Sequence, residues 1–496
     1  MKKNASILLA AVFVLLLVFT ACAGAPAETA PASLPAETET NGEISLGKEV
    51  KDLKGHDFLF MVHENSHKHL DTNEVYSDAV TGDKVNDAVF KRNSTIQETY
   101  NCTLHEDRAT DVNLAVRDAL AAGEYTYDFL YTDLQELRIL ATNRLLVDLP
   151  KLENLDLDNP WWDQNLRQGM TVRDHLFFAT GDAGTLDDRS CWVTYFNRDL
   201  IEKNKLENPY DLVRSGEWTI QKMYELGEAA WQDTDGNGVF SVGEDVAAYI
   251  GEAANNGYHV LACGVTLSNI GTGGDISLPA TVKDEVLEVW AELKPLLTNP
   301  HRDVSDSGFS KGRGVFFACN LGGVLNFGNS GIEFGILPMA KRNAEQKEYL
   351  TAFEGPLFCA YAIPVTANPQ EAAAAGFTSG TEMCAYFLDV FGYESVSTLT
   401  PAFYDQVLKK QMVRDEDSVE MLETALAHKV YDPAIIYNFG GIGRVFYDCG
   451  SNGNRNGAVG SEVNYENLVS TYESRLISAR KVLQRYLENI EFDESN

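Results

Sequence analysis

Residues 127–149, YDFLYTDLQELRILATNRLLVDL, decide the fold. The run YDFLY (127–131) has the length and composition of a strand, and DLQELRILATNRLLVDL continues as a helix that Asp133 is positioned to cap. Working outward toward the N-terminus, HDFLFMV (56–62) is a first strand. GDKVNDAVFKRNSTIQETY (82–100) puts Val85, Ala88, Val89, Ile96 and Tyr100 on one helical stripe. CTLHE is a second strand, and VNLAVRDALAAGE is a helix ending near Gly123. Strand, helix, strand, helix, strand is the pattern of a parallel α/β lobe.

After NPWWDQN (159–165) a new unit begins with HLFFATGD and CWVTYFNRDLIEKNKL. WTIQKMYELGEAAWQ (218–232) is amphipathic, with Met223, Leu226 and Ala230 on one side, and α/β material runs on to IEFGILPM (332–339). Beyond Ala374 the chain turns helical, and Leu468, Tyr472, Leu476, Ala479, Leu483 and Ile490 form a long final stripe. There is no internal repeat.

At 496 residues, two or more domains are expected. Hydrophobic residues at 44% argue for folded material, and the net charge of −33 argues against nucleic acid and anionic lipid surfaces as partners while suiting cations. Met1-Lys2-Lys3, an apolar run at 7–19 and TACAG make a secretory signal. It resembles a bacterial lipoprotein signal, which makes residues 1–21 the signal peptide and Cys22 the lipidated first residue. Residues 22–46, rich in Ala, Pro, Glu and Thr, read as a flexible tether. The seven further cysteines match no metal spacing, and most sit in apolar company as small hydrophobes.

Two stretches raise metal chemistry. His63-Glu64-Asn65-Ser66-His67 reads H-E-x-x-H, the signature of a zinc protease helix. It directly follows an apolar strand and is flanked by Asn, Ser, Lys and Asp instead of a core stripe, so a loop is expected there, with His63, Glu64 and Asn65 facing ligand and His63, His67 and His69 as adventitious metal binders. DTDGNGVFSVGE (233–244) fills every slot of a twelve-residue EF-hand loop: Asp233, Asp235, Asn237, the Val239 carbonyl, Ser241 and Glu244, with Gly238 at the sharp turn. A strand-like DVAAYIG follows it, so the expectation is one structural Ca2+ loop without a sensor's paired helices.

Read together, VNDAVFKRNSTIQETYNCTL, YDFLYTDLQELRILATNRLLVDL, PWWDQN, HLFFATGD, VTYFNRDLIEKNKLENPYDLVRSGEWTIQKM, GRGVFF, FGILPM, TPAFYDQVLKKQMVRDEDSVEML and YNFGGIG resemble one family. It is the extracellular solute-binding lipoproteins of bacterial ABC importers, in the carbohydrate-binding group related to maltose-binding protein. The resemblance implies a two-lobed periplasmic-binding-protein-like (type II) α/β fold, each lobe a mixed sheet flanked by helices, with a helical C-terminal region. It places an N-lobe at 47–182 plus 358–396 and a C-lobe at 186–353 plus 402–496, joined by crossings near 182–186, 353–358 and 396–402. It also implies a non-enzymatic monomer that is lipid-anchored outside the cytoplasmic membrane of a Gram-positive type bacterium and hands a sugar to ABC permease subunits.

Ligands of α/β lobes approach the carboxyl ends of strands, which selects Glu64, Thr132 and Asp133. Position in the resembled family adds Asp182, Trp192, Asn256, Tyr258, Asn320, Glu354, Tyr404, Tyr437 and Asn438, beside Phe439. Against these stand core packing for each aromatic, and a cap or surface role for Asp133 and Asp182. GGIG (440–443) and GTGGD (271–275) lack a strand–helix context and read as turns. A secreted glycoside hydrolase, whose paired carboxylates need only spatial proximity, is the main alternative function, ahead of the zinc protease.

Overall fold

In the computed structural model, alternate residues of HDFLFMVH point into one core. Strand β1 (His56–His63) buries Phe58, Phe60 and Val62 completely. β2 (Cys102–Ala109) and β3 (Phe129–Asp133) flank it, both parallel, in registers such as Phe58↔Leu104 and Met61↔Leu130. The structure describes residues 44–65, 73–123, 125–251, 256–304, 306–324, 330–353, 355–406, 416–451 and 466–492. The signal peptide, Cys22, most of the tether, His67, His69 and Glu354 lie outside these residues.

The helix Lys84–Tyr100 starts where Asp83 accepts from the N–H groups of Val85 and Asn86, and ends at Asn101 in left-handed conformation. Its buried face holds Val85, Val89, Ile96 and Tyr100 as read from the sequence, but also the polar Arg92 and Asn93. The helix Val112–Ala122 ends on Gly123, φ 71°, where a residue without Cβ carries no steric cost.

β3 lies two residues further along than the sequence suggests. Asp128 is held at the strand's entry, accepting from the Leu59 N–H and the Tyr125 hydroxyl. At the far end a late segment, Cys359–Ala362, pairs antiparallel with it, Cys359 opposite Asp133 and Ala360 opposite Thr132. With this segment, labelled β11 below by chain order, the first sheet runs β11-β3-β1-β2 and is mixed.

The second sheet is built from β4 (Trp192–Asn197), β5 (Ala247–Ile250), β8 (Arg302–Asp303), β9 (Gly314–Asn320) and β10 (Phe334–Pro338), in the order β10-β4-β9-β5-β8. β4 runs antiparallel to both its neighbours, whereas β5 is parallel to β9 and β8. β6 (Asn269–Ile270) and β7 (Ile276–Ser277) form a separate two-stranded piece. The helix Ile220–Ala230 covers β5 and β9 with Met223, Leu226 and Ala230.

Helices after Gly380 close both sheets. Helix Gly380–Val396 is buried almost all round and stacks Phe387 on Phe58, ring centroids 3.9 Å apart. Its buried Asp389 accepts from the indole N–H groups of Trp161 (2.9 Å) and Trp162 (3.1 Å), which explains the PWW signature structurally. Helix Glu416–Leu426 packs on β10. The last helix, Glu466–Phe492, buries its whole sequence-predicted stripe against the turn Phe439–Arg444 and neighbouring elements.

Where the chain passes between the sheets near residue 183, a buried polar knot fastens it. Arg92 donates to the carbonyls of Glu74 (2.6 Å), Val75 (3.1 Å) and Ala183 (3.4 Å) and to Ser395 Oγ (3.1 Å), with its guanidinium 3.8 Å from the Phe391 ring centre. The Glu74 carboxylate, itself buried, accepts from Tyr131 (2.7 Å), from the Thr185 N–H (2.9 Å) and from the Thr185 hydroxyl. Buried polar groups persist when every member is satisfied, and this cluster ties residues 183–185 to the first sheet. Among the described residues, no helix is long and apolar enough to cross a membrane. All seven described cysteines are free thiols, and six of them are buried.

Candidate functional site

The carboxyl ends of β3 and β5 lead into the helices Leu134–Thr142 and Asn256–Ala262. Between these helices lies a cavity of about 390 Å³. The first sheet contributes Gln135 and Arg138, the second contributes Gly257 and Tyr258, and Phe353, Asp432, Asn438, Arg444 and Tyr447 complete the wall. This is the position where open α/β sheets take ligands.

Tyr258 presents a rigid aromatic face because Trp192 stacks behind it, 4.4 Å between centroids and 22° between planes. Trp192 is buried, and its indole N–H has no partner among the described residues. Asn438 sits in left-handed conformation, φ 48°, a state that Asn tolerates better than most side chains; its buried Oδ1 also lacks a partner. Thr132 Oγ1 and His63 Nδ1 are likewise buried without partners among the described residues, near the carboxyl ends of the paired strands β3 and β1. Asp133 caps its own helix, accepting from Gln135 (2.7 Å) and Glu136 (3.1 Å), with His63 Nε2 at 3.6 Å. Burial pushes its carboxyl above the ordinary carboxylate range, partly opposed by His63.

Several sequence-selected residues are placed elsewhere. Tyr437 is core: its ring packs on Phe439 (5.4 Å) and Tyr486 (4.8 Å), and it accepts the Tyr486 hydroxyl hydrogen at 3.1 Å. The left-handed turn at Asn438 sends neighbouring side chains opposite ways, which separates the two. Asn320 caps the short turn after β9, its Oδ1 accepting from Gly323 at 2.8 Å. Asp182 and Tyr404 line a second cavity of about 320 Å³. There Asp182 accepts from Thr400 at 2.7 Å, and burial raises its carboxyl to about 6. The same cavity holds Lys429 bridged to Asp163 (3.2 Å), Asp187 (2.9 Å) and Asp188 (2.7 Å), so its charge is satisfied internally. Glu64 is exposed. Asn256 opens its helix, but its side chain, like Glu354, lies outside what is described.

The H-E-x-x-H reading fails at its first residue. His63 pairs with Ala109 within the parallel ladder, and the Glu64 N–H continues that ladder to the Ala109 carbonyl at 2.9 Å. A histidine held within a strand cannot be the first ligand of a helical H-E-x-x-H motif.

The acidic loop after Trp231 draws carboxylates together, with Asp245 rather than Glu244 as the third of them. Oxygens of Asp233, Asp235 and Asp245 lie within 4.8 Å of one another. Asp233 accepts from Gly236 and Gly238, both at 2.7 Å, and those two glycines have φ of 73° and 78°. Asn237 Oδ1 accepts from the Val239 N–H. The Gly238 hydrogen bond first of all holds the Asp233 carboxyl below the ordinary range. Glu244, expected as the last ligand, is exposed; Asp245 is buried and turned into the loop by the N–H groups of Thr234 and Ser241, both at 2.7 Å. The strand that starts just afterwards sets the phase and points residue 245 inward. Converging carboxylate oxygens suit a hard dication.

Sequence reading missed Gln135, Arg138 and Arg444. Gln135 and Arg138 are three residues apart on one helix face just behind Asp133, so helical periodicity applied to the ligand end would have found them.

No protein family and no curated protein matches this chain in sequence. Solved structures do. The galacto-N-biose-/lacto-N-biose I-binding protein of an ABC transporter from Bifidobacterium longum, in complex with lacto-N-biose, superposes with TM-score 0.54 at 12% identity, over 86% of this chain and 97% of that one. The cyclic alpha-maltosyl-1,6-maltose binding protein from Arthrobacter globiformis gives 0.52 at 12% identity, over 88% and 100%. A sugar transporter protein from Rhizobium etli in an open conformation gives 0.52 at 12%, over 85% and 99%. The chain has the two-lobed α/β fold of these solute-binding proteins.

Proposed function

We propose that this protein is the lipid-anchored receptor of an ABC importer, capturing a saccharide outside the cell and passing it to the permease. The observation that carries the reading is the cavity between the two sheets, where the Trp192-backed face of Tyr258 stands among amide and guanidinium donors. An aromatic face matches the apolar side of a sugar ring, and fixed polar groups match its hydroxyls. The saccharides named with the structural neighbours support the class of cargo. Capture without cleavage fits the one carboxylate among the described lining residues, Asp432, whose oxygens are committed to Leu267, Ser268 and Ala434. The lobes are assigned as 47–182 plus 358–396 and 186–353 plus 402–496, Cys22 as the lipid site, and Ca2+ as a structural ion in the 233–245 loop. Closing the lobes on the sugar gives the permease a form to recognise by differential affinity.

A thermal-shift screen of the full chain in mild detergent tests this, using saccharide and peptide panels with and without calcium. A receptor saturated at about 100 times Kd gains about 2.7 kcal/mol. A rise confined to one saccharide class is expected; a response to peptides alone contradicts the cargo class.

A further inference from the structure

The cavity that is read above as a sugar site carries an unusual charge. Arg138, on the helix Leu134–Thr142, and Arg444, at the end of the turn Phe439–Arg444, both line it. Arg138 is half-buried, and among the described residues its guanidinium makes no hydrogen bond and no ion pair within 4.0 Å. Burial first of all disfavours its charge; Asp133 favours it, Arg444 across the cavity wall disfavours it, and Glu136 favours it. Arg444 reaches one carboxylate, Asp448 at 3.5 Å, but Asp448 is already engaged by Arg475 at 2.6 Å. Asp432 makes no ion pair with either guanidinium, its oxygens accepting from Leu267, Ser268 and Ala434. Asp133 caps its helix with His63 3.6 Å away, and acts on Arg138 only from beyond ion-pair distance.

The contrast with three other arginines gives this weight. The chain has 73 acidic residues against 40 Lys and Arg. That excess clamps Arg214 between Asp417 and Glu420, Arg342 between Glu288 and Glu292, and Arg173 between Asp275 and Glu491. Two guanidinium groups on one cavity wall that lack such double clamps among the described residues are a site for a negative charge supplied from outside. Guanidinium offers only donors, in a planar fork that matches carboxylate or sulfate oxygens in pairs. The overall field of the protein does not prevent entry, since distant charges are screened beyond about 8 Å at physiological ionic strength.

We propose that the cargo is an anionic saccharide, one bearing carboxylate or sulfate groups, with Arg138 and Arg444 as its counter-charges beside the Tyr258 face. This rests on the receptor reading and narrows it. The test is titration calorimetry of the full chain in mild detergent with matched ligand pairs. Oligogalacturonates are compared with their methyl esters, which keep every ring and remove the charge; sulfated glycosaminoglycan disaccharides are compared with their desulfated forms. One charged member is expected to bind at least tenfold tighter than its neutral partner, and the pair that does so tells carboxylate from sulfate. In R138Q and R444Q, checked for an unchanged thermal midpoint, that ratio should fall toward one. R138K, which keeps charge but not the fork, should fall between. Neutral members binding as well as charged ones, or a ratio indifferent to both arginines, overturns the proposal and leaves the receptor reading standing. Absence of binding by charged, neutral and unmodified saccharides alike overturns both.

Discussion

Arg92→Met tests whether the polar knot at residue 183 fixes the passage between the sheets. Methionine keeps the length and the apolar contact with Phe391. The consequences for the acceptors differ. Val75 O still receives Asn93 Nδ2 at 2.9 Å, Ala183 O still receives the Tyr361 hydroxyl at 2.9 Å, and Ser395 still donates to Phe391 O at 2.7 Å. The Glu74 carbonyl loses its 2.6 Å donor, and the buried Glu74 carboxylate loses one of its two nearby cations, keeping Arg189 at 3.5 Å. An orphaned buried carbonyl costs about 1–3 kcal/mol. Urea unfolding of the full chain should therefore show a loss of about 1–3 kcal/mol. Adding Glu74→Gln should return part of it, with a coupling of at least about 1 kcal/mol. A loss under about 1 kcal/mol, or strict additivity of the two changes, would refute the knot as described.

Asp182→Asn probes the second cavity. Burial holds that carboxyl up at about 6, so the fold favours its protonated form; the resulting stability is present below about pH 4 and lost as pH rises through about 6. The variant should match the native chain at pH 4 and exceed it by about 1–3 kcal/mol at pH 7.5; a gap that ignores pH contradicts the assignment. For the cation loop, Asp245→Asn should weaken calcium affinity at least tenfold and Glu244→Gln no more than about twofold, measured by titration; the reverse order would restore Glu244 as ligand. Tyr258→Ala should lower saccharide affinity about tenfold, some 1.4 kcal/mol. Tyr437→Phe should leave affinity within about twofold and cost about 1 kcal/mol of stability through the lost Tyr486 pairing.

What could be read from the sequence was local. Short apolar runs placed β1 and, two residues early, β3; a side-chain cap placed Asp133, and the 3.6-residue stripe placed the last helix. Pairing across long separations could not be read: β11 joins β3 from more than two hundred residues away and moves that strand's end to Asp133. The site followed the same division. Tyr258 and Asn438 reach the cavity, whereas Asp182 and Tyr404 occupy another. The twelve-slot template names Glu244, whereas Asp245 is the carboxylate that lies beside Asp233 and Asp235, because spacing alone says nothing of which neighbour the following strand turns inward. Arg138 escaped notice for a related reason: a guanidinium on a helix face looks like any solvated charge until the carboxylates around it are seen to be taken.

The most direct test of saccharide capture is calorimetry of the full chain with the saccharide that raises its thermal midpoint, followed by mass spectrometry of the ligand recovered after long incubation. The account predicts one site per chain, loss of affinity in Tyr258→Ala, and a ligand returned at its original mass. Ligand returned as shorter fragments, or binding unaffected by that substitution, would contradict it.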